Sequence, residues 1–175
     1  MRALPLATTA LAAALLLTAC SDDDGGDTTG AEKKKGGSAC AIGEMTVTAG
    51  PANAAPAAGD TGNVPVTITN KSGAACTLDG LPGVRFETGD ATIEVAADQA
   101  ASAAKSTLAK DADTSFTITY VRGEAGADDS LAVKSVKFGL PGSSETDGFE
   151  WSYGDVALKD GKPDASFSGF QRTGD

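Results

Sequence analysis

Residues 67–86 read TITNKSGAACTLDGLPGVRF, and this stretch decides the fold because a strand end, two turns and a half-cystine follow one another. Asn70 and Gly73 are turn formers that tolerate a positive φ angle, so the first turn comes directly after the strand end. Cys76 follows that turn, and residues 80–83, GLPG, supply the glycines and the proline of a tight second turn. None of these residues is placed as a nucleophile or a general base, so we interpret the stretch as scaffold.

The segments around this stretch alternate apolar and polar side chains, which is the pattern of β-strands with one buried and one solvated face. Turn-forming residues separate the segments, and no long amphipathic helix lies between them, which argues against a parallel α/β fold. We therefore predict a β-sandwich of about eight strands. The alternating apolar positions are Val64, Val66, Ile68, Val84, Phe86, Ile93, Val95, Phe116, Ile118 and Tyr120.

Three segments depart from simple alternation. Pro65 lacks a backbone donor, so its strand is predicted to begin near it or to lie at a sheet edge. The alternation slips between Val133 and Val136, and a bulge at residues 134–135 would restore the apolar face. Residues 96–104, AADQAASAA, are helix-prone but have no apolar stripe beyond alanine, so we expect a loop or a short helix.

The composition excludes several classes of function. The chain has 175 residues with 24 acidic and 14 basic side chains, a formal charge of -10, so we expect no nucleic acid partner. It has no histidine, which excludes Ser-His-Asp and Cys-His catalysis and removes the usual ligand of zinc and copper. No stretch arranges the remaining reactive side chains in a catalytic motif. We therefore predict that the protein is not an enzyme and has no catalytic residue, metal ligand or cofactor.

The N-terminal residues have the pattern of an export signal. Residues 1–19 begin with Met1-Arg2, continue with an uncharged run rich in Ala and Leu, and end in small residues before Cys20. The run is near the length of a signal-peptide core and short for a spanning helix. Leu17-Thr18-Ala19-Cys20 resembles the lipobox of bacterial lipoproteins, in which the cysteine receives a diacylglycerol and becomes the first mature residue. The alternative is an ordinary signal peptide that happens to precede a cysteine.

The lipobox resemblance implies that acyl chains such as palmitate on Cys20 hold the protein at the extracytoplasmic face of the cell membrane. Residues 20–39 are then the lipidated cysteine and a linker of Gly, Asp, Thr and Lys, which we expect to be disordered because it buries little apolar surface. Its three lysines, residues 33–35, are interpreted as solvated, with contact to an anionic surface polymer or lipid as the alternative.

An aromatic run near the C-terminus has two interpretations. Phe149, Trp151 and Tyr153 alternate with polar residues, so on a strand all three would face the same way. The first interpretation is core packing. The second is an exposed aromatic platform for a sugar or a protein partner.

Carboxylates cluster at two places, and calcium prefers oxygen ligands of this kind. Asp111 and Asp113 share one turn, and Glu124, Asp128 and Asp129 share one loop. Neither cluster has the spacing of a calcium-binding loop, so we predict no metal site there.

Three cysteines are present, and lipidation of Cys20 accounts for the odd one. The environment outside the membrane is oxidising, so Cys40 and Cys76 are predicted to form a disulfide. In the loop-entropy account, a bridge closing about 37 residues stabilises the fold by roughly 3 to 4 kcal/mol.

Two segments together resemble the family known as domain of unknown function 4232. They are VTITNKSGAACTLDGLPGV at residues 66–84 and TLAKDADTSFTITY at residues 107–120, preceded by Cys40. The resemblance covers most of residues 40–171 and implies an immunoglobulin-like antiparallel β-sandwich with the cysteine pair bridged, in secreted proteins and lipoproteins of actinobacteria. It places the sandwich domain at residues 40–175. The family supplies no catalytic residues to transfer.

These observations give two functional hypotheses. The first is a membrane-anchored extracytoplasmic lipoprotein, a monomer whose sandwich domain is a non-catalytic module that binds an envelope protein or a glycan. The alternative is a small-ligand or cation-binding lipoprotein that uses the acidic loops or the aromatic run. An enzyme is the third and least supported hypothesis, because no catalytic motif is present.

Overall fold

The computed structural model describes residues 38–53 and 55–172, so the predicted signal peptide, Cys20 and most of the predicted linker lie outside the described residues. Among the described residues, no helix has the length and hydropathy needed to cross a membrane. A 3-10 helix at Ile42–Glu44 leads into the first of fifteen strands in this part of the chain. The strands are β1 Met45–Ala49, β2 Thr61–Asn70, β3 Cys76–Asp79, β4 Gly83–Glu87, β5 Thr92–Glu94, β6 Ala96–Ala97, β7 Lys105–Leu108, β8 Asp113–Val121, β9 Ser130–Leu131, β10 Ser135–Gly139, β11 Thr146–Glu150, β12 Val156–Lys159, β13 Lys162–Pro163, β14 Ala165–Phe167 and β15 Gln171–Arg172.

Two sheets form the sandwich. The six-stranded sheet has the order β1-β2-β8-β14-β6, with β15 also paired to β8, and the four-stranded sheet has the order β11-β10-β4-β5. The longest ladder joins β2 to β8 antiparallel, from Thr61 opposite Val121 to Thr69 opposite Asp113. Two smaller sheets, β13-β12-β9 and β3-β7, complete the described part of the fold.

The core lies between the two large sheets, and alternation places its side chains there. The Phe116 ring of β8 and the Phe138 ring of β10 meet across the sandwich with centroids 5.4 Å apart. Burial of such apolar surface is the main favourable term in folding. The inward residues of the central strands, all buried, are Val64, Val66, Ile68, Val84, Phe86, Phe116, Ile118, Tyr120, Val136 and Phe138.

The predicted all-β sandwich is confirmed, and the strand count exceeds about eight because several pairings extend over only two or three residues. One of these pairs, β14 with β6, is parallel, whereas the ladders of both central sheet regions are antiparallel. Residues 96–104 contain β6 and otherwise form turn and loop, in agreement with the loop prediction.

Pro65 lies inside β2, which has neighbours on both sides, so the prediction of a strand start or a sheet edge is wrong. Odd-numbered residues of β2 direct their backbone groups toward β1. The N–H of Asn63 donates to Asn53 O at 2.9 Å, and Pro65 O accepts from Gly50 N at 2.8 Å. The pairing of β1 with β2 ends at Ala49, opposite Val66. The nitrogen of Pro65, which has no hydrogen, therefore faces a point beyond the end of this ladder.

The slip in alternation between Val133 and Val136 coincides with the predicted bulge at residues 134–135, because Lys134 N donates to Glu87 O at 2.8 Å although the register places Ser135 opposite Glu87. The slip also marks a change of sheet. Leu131 of β9 pairs with β12 in a small sheet, whereas β10 pairs with β4 and β11 in the four-stranded sheet. Val133 and Val136 are both buried, so the chain keeps an apolar side chain toward the interior both before and after residues 134–135.

Cys40 and Cys76 form the predicted disulfide, with Cα atoms 4.9 Å apart. Both cysteines are buried, and the bridge ties the segment before β1 to the start of β3. Backbone hydrogen bonds reinforce the connection, because Cys40 N donates to Thr77 O at 3.0 Å and Thr77 N donates to Ser38 O at 2.9 Å. The entry of the chain into the domain is thus fixed beside the turn that follows β2.

Candidate functional site

The turn after β2 is organised by Asn70, whose side chain is fully buried. Its Nδ2 donates toward three carbonyl oxygens, at 2.9 Å to Ala74, 3.1 Å to Leu108 and 3.2 Å to Ala109. Its Oδ1 accepts from the backbone N of Ser72 at 2.9 Å and from the Ser72 hydroxyl at 2.7 Å. The side chain therefore joins the turn to the end of β7, and the interpretation of this motif as scaffold agrees with these contacts.

The aromatic run is packed into the domain around Trp151. The Trp151 ring is 7% exposed and lies 5.2 Å from Phe86, 4.9 Å from Tyr120 and 4.8 Å from Tyr153, measured between centroids. Its Nε1 donates to Gly154 O at 2.6 Å. Because β11 ends before Trp151, the run does not continue as one strand, and the core-packing interpretation holds in place of an exposed platform of three rings.

A hydrogen bond joins Tyr120 to Tyr153 beside the Trp151 ring. The Tyr120 hydroxyl donates to Tyr153 O at 3.0 Å and accepts from Ala55 N at 3.4 Å. Burial, with a smaller contribution from the neighbouring Tyr120, raises the pKa of Tyr153 above its ordinary value of 10.0. A tyrosine with a raised pKa stays neutral near pH 7, so Tyr153 contributes packing and no charge.

The acidic residues that cluster in the sequence are all exposed on the surface. Asp111 has a positive φ angle of 58° and lies 3.5 Å from Lys71 Nζ, while Asp113 is the exposed first residue of β8. In the loop before β9, Gly126 N donates to Asp155 Oδ2 at 3.0 Å. Across the described ranges, no group of three or more Asp, Glu, Cys or His side chains is arranged to hold a metal ion.

A cleft of about 350 Å³ lies on the outer face of the four-stranded sheet, where β4 and β10 run side by side. The two charged residues that line it, Arg85 and Lys137, are both cations and are directly opposite each other in the register. Gly83 and Gly139, also opposite each other, form a floor without side chains beside them. The hydroxyls of Ser143 and Ser144, from the connection between β10 and β11, and of Thr146, the first residue of β11, complete the rim.

Two other depressions are turn hollows. One of about 320 Å³ lies over residues 87–92, where Thr88 Oγ1 accepts from Ala91 N at 3.0 Å. The other, of about 260 Å³, lies between residues 98–104 and residues 168–171 and is lined largely by alanine, serine and glycine. The polar groups of the first are engaged within the turn, so the Arg85–Lys137 cleft is the better candidate for a site.

Sequence reasoning did not single out Arg85 or Lys137. The signal was present in two similar segments, Gly-Val-Arg-Phe at residues 83–86 and Val-Lys-Phe-Gly at residues 136–139. Each segment places a cation between two inward apolar residues and a glycine near it. That the two segments pair antiparallel, with the cations opposite, depends on the register, which the pattern alone leaves undetermined.

The family model described as domain of unknown function (DUF4232) matches residues 40–169. The match starts at the first half-cystine of the bridge and ends before β15, so it includes most of the two large sheets. No curated protein and no solved structure matches the chain.

Proposed function

The chain belongs to the DUF4232 family, and from this premise we propose that it is a membrane-anchored extracytoplasmic lipoprotein of a bacterial, in particular actinobacterial, envelope. In this proposal Cys20 carries the lipid, and the sandwich domain is a non-catalytic module that binds an envelope protein or a glycan.

The anchoring part is supported by the lipobox-like Leu17-Thr18-Ala19-Cys20 and by the polar linker that follows it. Each buried CH₂ of an acyl chain contributes about 0.8 kcal/mol, so two chains hold a protein stably where one gives only reversible attachment. The composition of the roughly eighteen residues after Cys20 predicts a flexible coil, which would span roughly 23 Å and hold the domain near the membrane.

The binding part is supported by one observation, the chemistry of the Arg85–Lys137 cleft. Its charged and polar side chains are two cations and several hydroxyls, which donate hydrogen bonds to a ligand. General-base catalysis needs a proton acceptor, and the residues that line this cleft include no carboxylate. Such a lining suits recognition of a polar or anionic group.

The anchoring is tested by fractionating cells that express the full chain or its Cys20→Ala variant, with Ser21→Ala as the matched control. Supply of an alkyne-tagged palmitate reports lipidation. We expect the parent chain and the control to be labelled and membrane-bound, and the Cys20→Ala chain to be unlabelled and either unprocessed or shed. A Cys20→Ala chain that is processed and still membrane-bound would refute the anchor.

The binding part is tested by photocrosslinking in the same cells, with the photoreactive residue placed at Thr146 on the cleft rim. A matched probe at the exposed Thr48 of β1 controls for random collision. We expect one envelope protein or glycan to be captured from Thr146 alone. Equal capture from both positions would contradict a dedicated binding surface.

The alternative, a small-ligand or cation-binding lipoprotein, is favoured in its small-ligand form by the cleft volume of about 350 Å³, which lies in the range of ligand pockets. A thermal-shift screen of the full chain with sugars, small anions and Ca²⁺ separates the hypotheses. Reproducible stabilisation by a small molecule would favour the alternative, and stabilisation by Ca²⁺ would assign the acidic loops.

A further inference from the structure

The Arg85–Lys137 pair is an unfavourable arrangement for a sheet surface on its own. Residues directly opposite each other on antiparallel strands have Cβ atoms about 5 Å apart, and like charges at that distance destabilise the pair. On the far side of Arg85, Glu94 Oε1 lies 3.3 Å from the guanidinium. On the far side of Lys137 is Gly148, and within the described residues Lys137 has no ion-pair partner.

The surroundings of the pair leave room for a ligand that would compensate this repulsion. A Cβ atom added at Gly83 would meet nothing within 4 Å, so the space above this half of the floor is open, whereas a Cβ at Gly139 would meet Glu145 O at 3.3 Å. The Arg85–Glu94 contact is between exposed side chains, which contributes little in water and can be replaced by a stronger anion. Phe138 and Leu140 also border the cleft, but both are buried, so they offer little apolar surface to a ligand.

We propose that this cleft binds the phosphate group of a polar, non-aromatic ligand, an inference that rests on the binding role proposed above. The guanidinium donates from Nε and Nη2 to Glu94 Oε1 at 3.3 Å and has further N–H groups for a ligand. The ammonium of Lys137 adds a second positive charge, and the hydroxyls of Ser143 and Thr146 add neutral donors. A phosphate has enough acceptor oxygens to use all of them. The volume of about 350 Å³ exceeds that of one phosphate and accommodates the small unit attached to it.

The phosphate can come from a soluble phosphomonoester or from a phosphodiester polymer of the envelope, and both present the same oxygens. Calorimetric titrations of the full chain in detergent with inorganic phosphate, glycerol 3-phosphate and a short glycerol phosphate polymer distinguish the sources. A polymer that binds more than tenfold more tightly than the monomer identifies the envelope source. Equal affinities identify the soluble source.

Variants test the site itself. We expect Lys137→Gln and Arg85→Gln each to weaken phosphate binding at least tenfold, since each removes a charge-assisted contact. Gly83→Val should also weaken binding, because a Cβ at this position meets nothing within 4 Å and the side chain takes up part of the cleft. Lys105→Gln is the control, since Lys105 lies in β7, pairs with Asp79 at 3.3 Å and gives the same change in net charge.

The result that overturns the proposal is either the absence of binding of all three probes or an equal loss of affinity in Lys105→Gln and Lys137→Gln. The second result would mean a general effect of net charge. Melting temperatures of the variants guard against misfolding, and we expect phosphate to raise the melting temperature of the parent chain but not that of Lys137→Gln. The Cys20 fractionation and the Thr146 crosslinking are read independently, so failure of the phosphate site leaves the anchor and the binding role separately testable.

Discussion

Replacing Asn70 by alanine tests whether the turn after β2 is structural. The side chain is fully buried, and its Nδ2 has two hydrogens to share among the carbonyl oxygens of Ala74, Leu108 and Ala109. Its Oδ1 accepts from both the N–H and the hydroxyl of Ser72. Two donated and two accepted hydrogen bonds contribute about 1 kcal/mol each, so we expect the free energy of unfolding to fall by about 4 kcal/mol.

That loss is a large fraction of the roughly 5 to 15 kcal/mol by which small domains are stable. Urea denaturation of the full chain measures it, with the fluorescence of Trp151 as the reporter, because this is the single tryptophan and it is buried. The matched control is Asn63→Ala. Asn63 lies on the outer face of β2 and accepts one side-chain hydrogen bond, from Thr119 Oγ1 at 2.8 Å, so we expect a loss of about 1 kcal/mol.

Two results would refute this reasoning. One is an Asn70→Ala chain within about 1 kcal/mol of the parent, which would mean that the buried contacts are replaced without cost. The other is an Asn63→Ala loss as large as that of Asn70→Ala, which would mean that the turn has no special role.

Three further predictions concern the same core. Removal of the Cys40–Cys76 bridge, which spans a sequence separation of 36, by a double Cys→Ser substitution should lower the free energy of unfolding by roughly 3 to 4 kcal/mol in urea denaturation, and an unchanged midpoint would contradict the predicted role. Gly62→Ala should destabilise by roughly 1 to 3 kcal/mol because its Cβ would overlap with the Tyr120 ring; a melting temperature equal to that of the parent chain would show that the ring moves freely. The pKa of Tyr153 is raised in the folded chain, so the contribution of this residue to the free energy of unfolding is fully present below pH 10 and declines as the pH rises above it. The decline should be smaller in Tyr153→Phe, and identical pH profiles of the two chains would exclude the effect.

Local alternation was enough to predict the sandwich and its central core. The apolar positions of β2 and β8 follow the period of a strand without interruption, and the structure buries Val64 opposite Ile118 and Val66 opposite Phe116. The disulfide could also be predicted from the sequence, since two of the three cysteines remained once Cys20 was assigned as the lipidation site. These predictions required only residue type and spacing.

Features that depend on pairing between distant segments could not be predicted from local alternation. The local pattern predicts the bulge at residues 134–135, but the change of sheet that accompanies it is visible only from the partners of β9 and β10. Pro65 is tolerated inside β2 because β1 stops at Ala49, a fact of register rather than of composition. The placement of Arg85 opposite Lys137 also depends on register, so the cleft could be recognised only in the folded structure.

Cys20 is the central residue of the proposed function, because the proposed location at the membrane depends on it. The most direct measurement is the intact mass of the protein extracted from membranes, with fragmentation at its N-terminus. We predict a chain that begins at Cys20, carries a diacylglycerol on that residue and has Cys40 and Cys76 oxidised. A chain that begins elsewhere, or a first residue Cys20 with a free thiol, would contradict the account.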